Sequence, residues 1–406
     1  MRFNLPIPLM VAEAREHPRF MRKRIPTPVN LIIEIGIFVL VFLVSGYLLE
    51  GIMGAVFMMP VLFTSDAFIT ASTQNGGRPP DMETITAVLN QLRSTPQIAI
   101  AMLFATVGGI AGSVIYCRCI EGRKLRTMGF RRGHIIREYL VGLLIGAVMF
   151  SVTVAIAVVT GSLTYGGLAG ASILILLLFF FGFLVQGMSE EVLCRGYFLV
   201  SLARRQHMAV AVIVSSCFFG ALHLMNDNIG VLPMVNLILF GCFEGVYLLK
   251  RGNIWGAAAI HSSWNFTQGN VFGISVSGMS LQPSVFIFEP TVDGTLISGG
   301  AFGIEGGLAA SIVLAAALII GLLMKCADPA PRVLVGSDGR SQVVVLSGAQ
   351  QLPMQPVSQE YWQPPMTQPA QPTTQVAQPV TPAAAGEEFP VQDGHWPPPP
   401  PPPPGT

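Results

Sequence analysis

Charge is what this sequence has least of. Asp, Glu, Lys and Arg make up only 11% of its 406 residues, while 51% are hydrophobic. Too few charged residues remain to clothe a soluble globule of this length. The 23 basic and 22 acidic residues nearly cancel, which leaves no global electrostatic case for nucleic-acid binding. Cysteine is also sparse. The six are scattered, and Cys117 and Cys119 stand one residue apart with no second pair. Neither a disulfide framework nor a zinc knuckle is built that way. The first apolar run has no small-residue cleavage site behind it, so no cleavable signal peptide is expected. The one-helix H-E-x-x-H zinc signature and any convincing internal repeat are missing too.

What is present is a succession of long apolar runs, the mark of an all-α, polytopic membrane protein. About eight transmembrane helices are expected. A basic N-terminal tail, residues 1–27 with Arg15, Arg19, Arg22, Lys23 and Arg24, precedes the first run, Leu31 to Pro60. Residues 28–170 hold the first three spans, the second at Ile98–Cys117 and the third at Tyr139–Val159. A polar stretch, Thr64–Ser94, broken by Gly76-Gly77-Arg78-Pro79-Pro80, separates the first two. Residues 171–272 hold four more, starting near Ala171, at Met208–Leu224, from Asn228 to Leu249, and at Ile254–Phe272. A Gly/Ser-rich loop and the last span, Gly306–Met324, fill 273–325. Gly161–Gly170 reads as a charge-free link. Basic loops alternate with neutral or acidic ones, so both termini are expected to be cytoplasmic by the positive-inside rule, in a cell membrane of bacterial type. Residues 326–406 are rich in Pro and Gln and close on Pro397–Pro404. That composition cannot bury a core and reads as a disordered tail, either merely solvated or a ligand for a proline-recognising partner.

Ionisable side chains inside apolar runs are costly and point to function. Glu190, Glu191 and Arg195 directly follow the run Ile173–Val185. Glu191 and Arg195 stand four apart and can pair on one helix face, while Glu190 points about 100° away, free for another task. Taken alone, such a pair reads equally well as a structural brace. Phe219 and His223 share a face four residues apart, as do His261 and Asn265. Glu190 lies about 16 residues before the Arg204-Arg205-Gln206-His207 turn and His223 about 17 after it. At ~1.5 Å per residue the two reach matching heights, roughly 25 Å from the turn. His261 is only about ten residues past Lys250-Arg251, so the first hairpin must project further, or part of it must lie in the interface. Glu34 and Glu244 are acids outside this set.

A carboxylate and an imidazole around one water can activate it toward a carbonyl. His261 and Asn265 can donate to the oxyanion that forms. Alternatively Glu190, His223 and His261 can form a His₂-Glu zinc site, with water as the fourth ligand. The residues leave both versions open. Two other readings use the same features: a non-catalytic scaffold or immunity protein working through its tail, and a proton-coupled transporter.

Glu190-Glu191-x-x-x-Arg195, Phe219-x-x-x-His223 and His261-x-x-x-Asn265 resemble, in order and separation, the motifs of the CAAX-protease and bacteriocin-processing (CPBP, or Abi) family of intramembrane endopeptidases. The resemblance is close over Ile173–Gly269, and Gly299–Leu308 also looks like bacterial members. It implies Glu190 as the water-activating glutamate with His223. His261 and Asn265 would form the oxyanion hole, and Glu191, Arg195 and Phe219 would support the site. Either a metal-dependent or a metal-free mechanism is compatible with it. The implied substrate is a peptide or membrane-associated protein cleaved near the cytoplasmic face of the bilayer.

Overall fold

The computed structural model describes residues 7–15, 27–92, 95–291 and 295–327, and the backbone of 332–335 and 341–344. Long apolar runs without helix breakers become helices, because in hydrocarbon each backbone N–H and C=O must be satisfied within its own segment. Among the described residues, five helices are long and apolar enough to cross a membrane. They are α2 (Pro28–Thr64), α5 (Pro96–Ile120), α6 (Ile135–Val159), α7 (Ile173–Ala203) and α9 (Val231–Arg251). A short α1 (Leu9–Arg15) precedes them. Two helices, α3 (Asp66–Gln74) and α4 (Met82–Leu92), occupy the polar stretch after α2.

Five of the eight expected spans correspond to these helices. The fifth, seventh and eighth apolar segments form α8 (Met208–Ala221, 14 residues), α10 (Trp255–Phe266, 12 residues, continued by a π-helical turn Thr267–Val271) and α11 (Leu308–Leu323, 16 residues). At ~1.5 Å per residue, 14 residues reach only about 21 Å, short of a ~30 Å hydrocarbon core. Helix α8 stops at Ala221, before the polar Asn226-Asp227-Asn228, so His223 sits in a turn rather than inside a helix.

The two stretches read as loops pair with each other. Strand β1 (Leu163–Leu168) lies antiparallel to β2 (Phe286–Pro290), with Tyr165 opposite Phe288. Arg332–Val335 (β3) pairs with Ser341–Val344 (β4) inside the stretch read as tail. Residues 345–406, including Pro397–Pro404, lie outside the described residues.

Helix α10 is the central element. It packs on α6 and α7, α8 packs on α9, and α9 on α11. On the basic side, Arg204 pairs with Glu34 at 3.4 Å and with Glu121, and Glu121 pairs with Arg123 at 2.7 Å. Glu34 is therefore an ion-pair partner. The apolar face of α1 (Met10, Val11, Ala14) is buried, and Arg15 donates to the Ala203 carbonyl at 2.9 Å. The start of the basic tail thus docks on the tip of the α7–α8 hairpin. Trp255 Nε1 donates to the Arg131 carbonyl at 2.7 Å, holding the start of α10 to the basic loop.

Candidate active site

Glycine lets the two helices that carry the site touch. A Cβ on Gly187 of α7 would lie 2.8 Å from the backbone nitrogen of Ser262 and closer still to its hydroxyl. Without one, Glu190 and Glu191 come directly against His261 on α10. The Glu191–Arg195 pair is present at 2.8 Å, both side chains fully buried at the start of a π-helical stretch, Val192–Leu199. Such local widenings of a helix recur at functional sites. Arg195 also lies 4.3 Å over the Phe219 ring. Phe219 thus supports the guanidinium on its π face while backing the site from α8.

Glu191 has a second task that its spacing does not reveal. Its Oε1 also holds His261 Nδ1 at 2.9 Å. The imidazole is wedged between the rings of Phe219 and Phe240, edge to face at 5.8 and 5.1 Å. Its other nitrogen, Nε2, turns toward Glu190 Oε2 at 3.6 Å. One carboxylate thus fixes the ring and the other faces its free side.

Glu190 is the open member of the pair. Its side chain is 27% exposed while that of Glu191 is 0%. Gln186, one turn earlier, donates to Glu190 Oε1 at 2.6 Å, and Asn265 Nδ2 donates to Gln186 Oε1 at 3.0 Å. Asn265 and Glu190 are therefore joined through an amide relay, and Glu190 Oε2 is left without a hydrogen-bond partner. His223 approaches from the turn after α8, its Nδ1 2.8 Å from the Phe219 carbonyl. With that nitrogen occupied, Nε2 is the one left for other work. Among the contacts of the described residues, the imidazole next to Glu190 is that of His261, and His223 makes no hydrogen bond to Glu190.

Two participants escape the motif reading. Gln186 is uncharged and carries no signal of its own. Glu50, in the middle of α2, does: a lone acid in an apolar run deserved the same suspicion as Glu190. A Cβ on Gly109 would lie 2.7 Å from Glu50 Oε1 and closer to Ser189 Oγ, so this notch in α5 admits both side chains. Glu50 is within electrostatic reach of Glu190. The fully buried Glu244 lies near Arg195 and Glu191, behind the site.

As a metal site the set fits poorly. Among the described residues no three His, Cys, Asp or Glu side chains converge as ligands. Both ring nitrogens of His261 face carboxylates, an arrangement suited to sharing protons.

Residues 171–267 match the model of a protein family described as type II CAAX prenyl endopeptidase Rce1-like. No curated protein and no solved structure matches. The matched segment begins just before α7 and ends just after α10, and so contains all three motifs and the contacts between them. Over these residues the chain is similar to that family, on helices that fit a multi-pass membrane protein.

Proposed function

We propose that the protein is an intramembrane endopeptidase of the CPBP type that hydrolyses a peptide bond with a water activated by Glu190. The observation that carries this reading is Glu190 itself. It is the partly open acid of the pair, with one oxygen held by Gln186 and the other unpartnered, facing an imidazole that a second carboxylate has fixed.

In this mechanism Glu190 Oε2 takes a proton from water as the oxygen attacks the carbonyl carbon. His223, with Nδ1 on the Phe219 carbonyl, offers Nε2 to the same water. The carbonyl oxygen gains negative charge and is met by Nε2–H of His261 in its imidazolium form, whose Nδ1–H is held by Glu191, and by the second amide hydrogen of Asn265, the first being engaged by Gln186. Glu190 then returns its proton to the leaving amine, which balances the reaction as peptide plus water giving acid plus amine. Burial strengthens each of these interactions relative to water.

The substrate in this reading is a peptide or a segment of a membrane-associated protein entering from the basic, cytoplasmic side. The start of α10 supports that side: His261 is seven residues, or about 10 Å, from Ile254, which is bonded to the Gly129 carbonyl of the basic loop. Glu190 is fourteen residues from Arg204, roughly 20 Å, so the α7–α8 hairpin reaches further than the α9–α10 turn.

The test is cleavage of internally quenched peptides and of lipidated peptides by purified protein in proteoliposomes. Glu190→Ala and His223→Ala are expected to abolish cleavage while membrane insertion stays intact. Cleavage that survives Glu190→Ala refutes the mechanism. A scaffold would behave oppositely, tolerating Glu190→Ala and losing function when Ala327–Thr406 is deleted.

A further inference from the structure

The segment between α10 and α11 lies outside the family match, yet it carries a buried acid to the edge of the site. Glu305 is 7% exposed. Its Oε1 accepts from the backbone nitrogen and the hydroxyl of Ser277, at 2.5 and 2.7 Å. The backbone there is clamped as well. Asn236 of α9 donates to the Glu305 and Gly307 carbonyls at 2.7 and 2.9 Å, and Ser311 of α11 holds Asn236 at 2.7 Å.

Ser277 connects this acid to the turn that bears His223. Asn226 Nδ2 donates to the Ser277 carbonyl at 3.1 Å, and the Asn226 nitrogen closes the turn on the His223 carbonyl at 3.0 Å. Ser277 has a left-handed backbone, φ 48°, an uncommon conformation for serine that Glu305 stabilises by accepting both of its hydrogens. The neighbouring Gly278 nitrogen bonds the Phe302 carbonyl at 2.8 Å, so the 273–307 segment closes on itself beneath the turn. His223 lies within electrostatic reach of Glu305.

We propose that Glu305 is a positioning residue for His223. Through Ser277 and Asn226 it holds the turn after α8 in place. This inference rests on the hydrolytic reading of the site.

Glu305→Gln, Glu305→Asp and Ser277→Ala are compared with the wild type in full-length protein, using a peptide the wild type cleaves. Glu305→Gln is expected to lower kcat roughly tenfold to a hundredfold with KM within about twofold, part of the ~10²–10⁴ that placed proton transfer contributes. Glu305→Asp should recover part of the loss. Hydrogen exchange at Leu222–Asn228 should quicken roughly tenfold while Ile173–Val185 stays unchanged. If Glu305→Gln does not fold, Ser277→Ala, which removes one hydroxyl, carries the test with a several-fold fall in kcat. A kcat within about twofold of wild type, or exchange in the turn that does not change, overturns the proposal. Wild-type protein that cleaves no peptide speaks against the hydrolytic reading, whereas the exchange result judges the positioning of the turn by itself.

Discussion

Glu191 offers the sharpest separation of structural from chemical roles, because one oxygen serves both Arg195 and His261. Removing it with Glu191→Ala leaves a guanidinium that is 0% exposed, with Nε and Nη2 already lacking hydrogen-bond partners, against the Phe219 ring and near the buried Glu244. Breaking a buried pair from one side costs about 3–5 kcal/mol, since the abandoned charge stays buried. At ~1.4 kcal/mol per tenfold, the unfolding equilibrium moves by roughly two to three and a half powers of ten. Unfolding in detergent, followed by tryptophan fluorescence, should show a midpoint lowered by on the order of 10 °C. Adding Arg195→Met replaces the stranded charge by an apolar chain of similar length, and should return most of that stability. It should not return cleavage, because His261 Nδ1 still lacks its acceptor. A double variant as stable and as active as wild type would refute the assignment of Glu191 to His261. A single variant as stable as wild type would refute the buried pair.

Other consequences can be measured in the same preparations. Gly187→Val should push α7 off α10, lowering stability by about 1–3 kcal/mol and cleavage by more, since the Glu190–His261 approach depends on that contact; unchanged kcat counts against the helix contact as the organiser of the site. Burial pushes the Glu305 carboxyl above the usual carboxylate range, with the Ser277 hydroxyl and His223 pulling the other way. The folded state then holds its proton more tightly than the unfolded chain does. Its contribution to stability is therefore present below the usual carboxylate range and is lost as pH rises through the raised value. Wild type should lose stability relative to Glu305→Gln over that window, and parallel pH–stability curves would contradict the burial argument. Cleavage is expected to survive chelation by phenanthroline, with zinc content unaffected by His261→Ala. Loss of activity restored by zinc would show that the ligands rearrange around a metal.

Membrane character and most of the motif residues are readable in the chain because their signals are local. Apolar runs such as Ile135–Val159 declare helices by composition, and Glu190, Glu191 and Arg195 stand out against Ile173–Val185. The Glu191–Arg195 spacing predicts a pair that the structure contains at 2.8 Å. Length is read less well than apolarity. Hydropathy alone continues the fifth span through His223, but the helix ends at Ala221, where the polar turn satisfies its own backbone. The Gly-rich links hide β1 and β2 because their partners are more than a hundred residues apart.

What the sequence determined by itself is an inventory: apolar helices, and an ordered set of Glu, His and Asn of the types that the proposed hydrolysis needs. The tertiary structure decided which of them meet. It put His261 rather than His223 beside Glu190 and gave Glu191 to both Arg195 and His261. It brought Gln186 and Glu50 to the site, and Glu305 to the turn that bears His223, from positions with no motif spacing. The physical reason is that pairing across helices depends on how closely backbones approach. That approach is set at Gly187 and Gly109 by the absence of a Cβ, and by packing against elements far away in the chain.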